Sequence, residues 1–306
     1  MSPRARIWTI VATVCAVAVA ATLGIVALTR DEPATSAVDP PPLFLDLGVR
    51  DDALARELRR ASRLYADGKL DDARRIFERF GSPIEAKIGA AFASWPDTMP
   101  ALQALPQSLA AVRLHEGIVL ATTGAERAAR TELEAAARVQ PDTPYAVRAD
   151  DFLHPKFAPG LPLFVPSEPF PAALAHRAPT EQLALLAHLR TKPARLHYGS
   201  ALQRLGMPVS ARRIFDDAVR LAPDDPETLT AAAVSRFDKD EPAAAFSRLG
   251  PLTRRFPRAQ TVRFHLGLLL IWIGDAPGAK RQLRKVRALG PETRLGREAR
   301  RFLDRL

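Results

Sequence analysis

The chain has 306 residues, 47% apolar and 25% charged, with 44 Lys and Arg against 34 Asp and Glu. This apolar share excludes a disordered chain, and a single cysteine excludes a disulfide framework or a thiolate metal cluster. The net charge of +10 comes mostly from arginine and is weak ground for a nucleic-acid partner.

Residues 1–30 read as a short cytoplasmic stub and a membrane signal-anchor. Arg4 and Arg6 precede Ile7 to Thr29, a run without charge or proline. A helix over that run spans roughly 30 Å, the hydrocarbon thickness of a bilayer. The basic N-terminal flank predicts a single pass with the N-terminus inside and the remainder outside the cytoplasmic membrane. A cleaved signal peptide is the rival, since Ala16-Val17-Ala18 and Ala18-Val19-Ala20 have the small-x-small form. Cleavage there would leave the apolar Leu23 to Leu28 at the new terminus, so the uncleaved anchor is favoured. Residues 31–50, with Pro33, Pro40, Pro41 and Pro42, predict an extended spacer.

Beyond the spacer the sequence repeats. Pro223, Pro257 and Pro291 stand 34 residues apart, as do Ala211, Ala245 and Ala279, and Phe215, Leu249 and Leu283. Gly199, Ala233 and Gly267 form a fourth column, and Gly206, Asp240 and Gly274 a fifth. In Leu196 to Pro223, Leu196, Gly199 and Leu202 mark one helix, whose small Gly199 admits a close neighbour. Gly206 ends it, as a residue that tolerates positive φ does. Ala211, Phe215 and Ala218 then mark one face of a second helix, which Pro223 stops. Asp225-Pro226-Glu227 supplies a cap, a first-turn proline and a first-turn acid for the next helix.

A 34-residue hairpin with these small residues resembles the tetratricopeptide repeat. Gly117, Gly124, Ala129, Leu133, Ala136 and Pro141 carry the full motif upstream; Gly68, Leu70, Ala73 and Phe77 carry its centre. Gly89, Phe92 and Ala101 mark a degenerate copy. The resemblance implies an all-α fold: a right-handed tetratricopeptide-like solenoid of antiparallel helix hairpins, preceded here by one N-terminal transmembrane helix. The expected blocks are residues 51–143, an interrupted repeat at 144–191, three repeats over 192–293, and a capping helix at 294–306. In that helix Leu295, Ala299, Phe302, Leu303 and Leu306 form an apolar stripe.

The interruption holds Pro155, Pro159, Pro162, Pro166, Pro169 and Pro171, a density no helix survives. Its large apolar residues, including Phe157, Leu163, Phe164 and Phe170, predict packing along the repeats or contact with a partner. Catalytic motifs are lacking: the sequence has no G-x-S-x-G, P-loop, H-E-x-x-H or C-x-x-C. The adjacent acids, Asp150-Asp151 among them, read as helix surface or caps. His115, His197 and His265 share one phase of the repeat. The resemblance implies that first helices line a concave groove, which places these histidines on it. Two repeats separate His197 from His265, too far for one metal ion. Leu266 to Ile273 is apolar on every face, so the insert or a partner must cover its groove side.

The expected groove residues are therefore His197, Arg204, Phe237, Phe264, His265, Leu268, Ile271 and Trp272. Polar replacement of Phe264 and Trp272 is expected to cost partner capture more than stability. The resemblance implies a binding module with no catalytic activity, whose partner is expected to be a protein or peptide. No metal or cofactor is expected, and the outward topology and the lack of aromatic stacking beside the arginines disfavour nucleic acid. The Lys, Arg and Asn clamp with which some members hold a peptide carboxylate is absent. The alternative is an accessory subunit of an envelope enzyme or assembly complex whose proline-rich loop supports a partner's active site.

Overall fold

The structure, a computed structural model, describes residues 39–306. The expected anchor at 1–30 and the first part of the spacer lie outside the described residues. Among the described residues there are sixteen helices and no strand, and no helix is long and apolar enough to cross a membrane. They divide into two compact units, 39–140 and 141–306.

The first unit holds α1 (Ala53–Ala66), α2 (Leu70–Arg79), α3 (Ile84–Phe92), α4 (Thr98–Gln103), α5 (Ala110–Thr122) and α6 (Glu126–Val139). Each packs on the next, and α1 also meets α3. Asp52 caps α1 by accepting a hydrogen bond from the Ala55 N–H at 2.8 Å. Gly124 makes the tight turn between α5 and α6 at φ +81°, a conformation other residues rarely take. Residues 39–50, expected to continue the spacer, instead lie on these helices. The Tyr65 hydroxyl donates to the Pro41 carbonyl at 2.6 Å, and the Phe44 N–H donates to His115 Nε2 at 3.3 Å.

The second unit holds α7 (Pro144–Leu153), α8 (Ala172–Ala175), α9 (Pro179–His188), α10 (Lys192–Arg204) and α11 (Pro208–Leu221). It continues with α12 (Pro226–Val234), α13 (Ala243–Arg255), α14 (Gln260–Trp272), α15 (Ala276–Leu289) and α16 (Arg294–Arg305). The pairs α10/α11, α12/α13 and α14/α15 are hairpins, and α10, α12, α14 and α16 also touch in succession. The second helices bury one face, such as Ala211, Phe215 and Ala218 of α11. The first helices are walled in on most sides, which is why the apolar α14 is stable in water.

The small-residue column works by close approach: a Cβ on Gly199 would stand 2.5 Å from Phe215 Cε1. Gly206 and Gly274 turn their hairpins at φ +68° and +83°. Where Asp240 replaces that glycine, α12 stops at Val234 and residues 235–242 form a longer connection. Asp225 caps α12 from both Glu227 and Thr228. At the end, α16 buries Leu295, Ala299 and Phe302 and exposes Arg297, Arg300 and Arg301.

Candidate binding groove

Residues 154–171 contain no helix, as their six prolines require, and α8 begins directly after Pro171. The insert therefore has main-chain groups to satisfy, and the first helices of the second unit satisfy them. From α10, Gln203 Oε1 accepts from the Phe164 N–H at 2.8 Å, and the Ser200 hydroxyl donates to the Phe164 carbonyl at 2.9 Å. From α12, Glu227 Oε1 accepts from the Ser167 N–H at 2.5 Å. From α14, His265 Nε2 accepts from the Val165 N–H at 2.9 Å. From α16, the Arg294 guanidinium donates to the Glu168 carbonyl at 2.6 Å.

Aromatic contacts fix the same segment. The Phe164 ring is 0% exposed, stacked on the His265 imidazole and edge-on to Phe215 at 5.4 Å. Phe170 meets His197 edge-on at 5.5 Å, and Phe157 meets Phe237 at 6.2 Å. Phe237 in turn packs on Trp272 at 5.9 Å. The face that the sequence assigns to either the insert or a partner is thus covered by the insert.

The histidines of one phase share a role. His265 Nδ1 lies 2.7 Å from the Thr261 carbonyl one turn back, which assigns its proton to Nδ1 and leaves Nε2 to accept from the insert. In the first unit His115 is arranged alike, with Nδ1 2.6 Å from the Ala111 carbonyl and Nε2 accepting from Phe44. Burial drives the pKa of each down to about 4, so both are neutral near pH 7. His197 is also lowered, first by burial and then by the Arg294 charge, against its hydrogen bond with the Pro169 carbonyl. Each of the three holds an extended stretch of the chain's own backbone. The sequence placed them on a common face, but a backbone partner has no residue signature by which to be found.

A second anchor was not visible in the sequence. Asp150 and Asp151, read as surface or caps, both meet the fully buried Lys239 side chain, at 3.2 and 2.5 Å. Asp151 also accepts from the Gly160 N–H at 2.7 Å. His154 lies 2.8 Å from both Asp150 and Asp240. Burial opposes its charging, but the hydrogen bonds to the Asp240 carboxylate and the Asp150 carbonyl, with the charges of both acids, outweigh this, and its pKa is raised. This cluster pins the start of the insert to the connection after α12.

Beside the insert a cavity of about 140 Å³ remains. Leu161, Leu163 and Val165 of the insert form one wall; Arg204, Phe264, Leu268, Ile271 and Trp272 stand opposite, with Glu298 and Phe302 of α16. Five of the eight expected groove residues thus meet at one cavity, while His197, Phe237 and His265 serve the insert. Phe264 is fully buried and also packs on Phe302, so its polar replacement costs stability as well.

Residues 192–235 match a family model described as Tetratricopeptide repeat. None of the curated proteins compared matches the chain. Among solved structures, the chain is similar to YrrB, titled a TPR protein with an unusual peptide-binding site, at 14% identity. That likeness covers 82% of this chain and 92% of the other, with a TM-score of 0.29. Yeast Tom70 is similar at 16% identity over 83% of this chain and 48% of that one, TM-score 0.33. The TPR2AB domain of yeast Sti1 in its pHSP90 complex is similar at 10% identity over 82% and 97%, TM-score 0.31. TM-scores this low have no bearing on function.

Proposed function

We propose that the chain is a non-catalytic scaffold that binds a protein or peptide through the second unit. In this reading a helix over residues 7–29 anchors it in the cytoplasmic membrane, with the helical units on the outer side. One observation carries the binding role. The first helices already hold an extended peptide, the insert, through side chains that bond its main chain at Phe164, Val165 and Ser167. Recognition of extended peptide needs that chemistry: main-chain bonds for affinity and a pocket for a side chain. The match of residues 192–235 to the tetratricopeptide family model supports the same class. The accessory reading, in which the insert completes a partner's active site, would use its exposed residues Ser167 to Pro169.

Capture of the gently solubilised full chain, wild type and Arg204→Glu in parallel, tests the proposal. A stoichiometric companion held by the wild type and lost from the variant is expected. Empty baits from both would overturn it. A reporter fused after Leu306 tests the outward topology, and activity of a cytoplasm-only reporter would overturn that part.

A further inference from the structure

The cavity beside the insert is one aromatic ring in size. An engineered protein cavity of about 150 Å³ with Leu, Ile and Phe walls takes up benzene, and this one measures about 140 Å³ with Leu163, Leu268, Ile271 and Phe264 in its walls. It differs in one respect, the Arg204 guanidinium at its edge.

Arg204 ends α10, and among the described residues it has no hydrogen-bond or ion-pair partner. Its side chain is open to solvent, yet surrounding atoms crowd it. Loss of hydration, followed by the charge of Arg294, lowers its pKa. Arg294 is committed to the Glu168 carbonyl. Glu298, the one carboxylate in the lining, is paired with Arg301 at 2.9 Å. The local balance is an excess of positive charge facing an apolar hollow. A guanidinium is a planar fork that matches a carboxylate with two parallel hydrogen bonds. Arg204 is the only cation in the lining, which suits a singly charged carboxylate better than a phosphate ester.

We propose that this cavity binds a small carboxylic acid whose apolar body is the size of one ring, the ring entering between the insert and α14 and the carboxylate pairing with Arg204. The proposal rests on the reading of the second unit as a binding module and names the chemistry of one ligand.

Isothermal titration of the detergent-solubilised full chain with 3-phenylpropionate tests it, with 3-phenylpropanamide as the uncharged control. The acid should bind at one site, and the amide at least tenfold more weakly. Arg204→Gln, at an exposed position where folding is not at stake, should weaken the acid at least tenfold and leave the amide unchanged. Leu268→Phe, which fills the hollow, should abolish both; its thermal midpoint is measured alongside, and Val165→Ile, a smaller addition to another wall of the same hollow, replaces it if that midpoint collapses. Equal binding of acid and amide, wild-type affinity in Arg204→Gln, or no heat up to millimolar acid would each overturn the proposal. A companion protein captured by a wild-type bait that ignores the acid would sink this inference and leave the scaffold standing.

Discussion

The Phe164 ring lies on the His265 imidazole with centroids 4.7 Å apart and planes 17° from parallel. Phe164 belongs to the insert, and its side chain reaches as far into the interior as Phe215 does. Phe164→Ala should therefore behave as a core truncation and cost about 3–5 kcal/mol, read from the urea midpoint. Native-state proteolysis between residues 157 and 170 should accelerate in parallel. A cost under about 1 kcal/mol would mean that the insert does not hold the groove in solution.

Acid should loosen the molecule. His115 and His265 stay neutral down to about pH 4 when folded, whereas an ordinary histidine takes its proton near 6.5. Between those values the unfolded chain binds more protons, so stability is full above about pH 6.5 and falls as the pH drops towards 4. At pH 5 each histidine accounts for a loss on the order of 2 kcal/mol relative to pH 7. Chemical denaturation at the two pH values checks this. His265→Gln should shrink the pH 7 to pH 5 difference by a similar amount, and an unaltered difference would remove His265 from the account.

Two glycines should respond for different reasons. Gly199→Ala drives a methyl into the Phe215 ring and should cost about 1–3 kcal/mol through overpacking. Adding Phe215→Leu to it should recover less than additive damage, because the clash is with that ring. Gly124→Ala meets nothing within 4 Å, so only its left-handed backbone penalises it, at about 1–2 kcal/mol. Thermal midpoints of the three variants separate the two causes.

Lys239→Met should be among the most damaging single changes. It removes the buried cation that Asp150 and Asp151 share, leaving Asp150 with His154 and Asp151 with Arg148 at 3.6 Å, and loss of one partner from a buried pair costs about 3–5 kcal/mol. The two carboxylates retain some solvent access, so the lower end is expected. Hydrogen exchange should rise at the Gly160 amide, whose acceptor is Asp151. Unchanged exchange there would show that the insert does not depend on this cluster.

What was legible in the sequence is what local physics writes there. Gly199 opposite Phe215, the positive φ of Gly206 and the cap at Asp225 each follow from residues within one hairpin. The six prolines announced a segment without helix, and its phenylalanines announced burial. The apolar Leu266 to Ile273 left the insert as one of two candidates to cover that face, but its register had no signature, because the groove grips it through main-chain amides, and any residue but proline offers one. Asp150 and Asp151 were misread for a related reason: their partner lies 88 residues from Asp151, and neither acid carries a mark of it. Residues 39–50 were assigned to a spacer on proline content, yet the carbonyl of Pro41 serves as an acceptor for Tyr65.

The separation in sequence between the insert and its holders has a consequence during synthesis. Hairpins such as α10/α11 close over a few residues and can form as soon as both of their helices have emerged. Val165 finds its acceptor only when His265 has been made 100 residues later, and Glu168 meets Arg294 after 126. Through that interval Phe164 lacks the imidazole on which it stacks. The middle of this greasy, proline-stiffened loop therefore stays open until the last helices arrive.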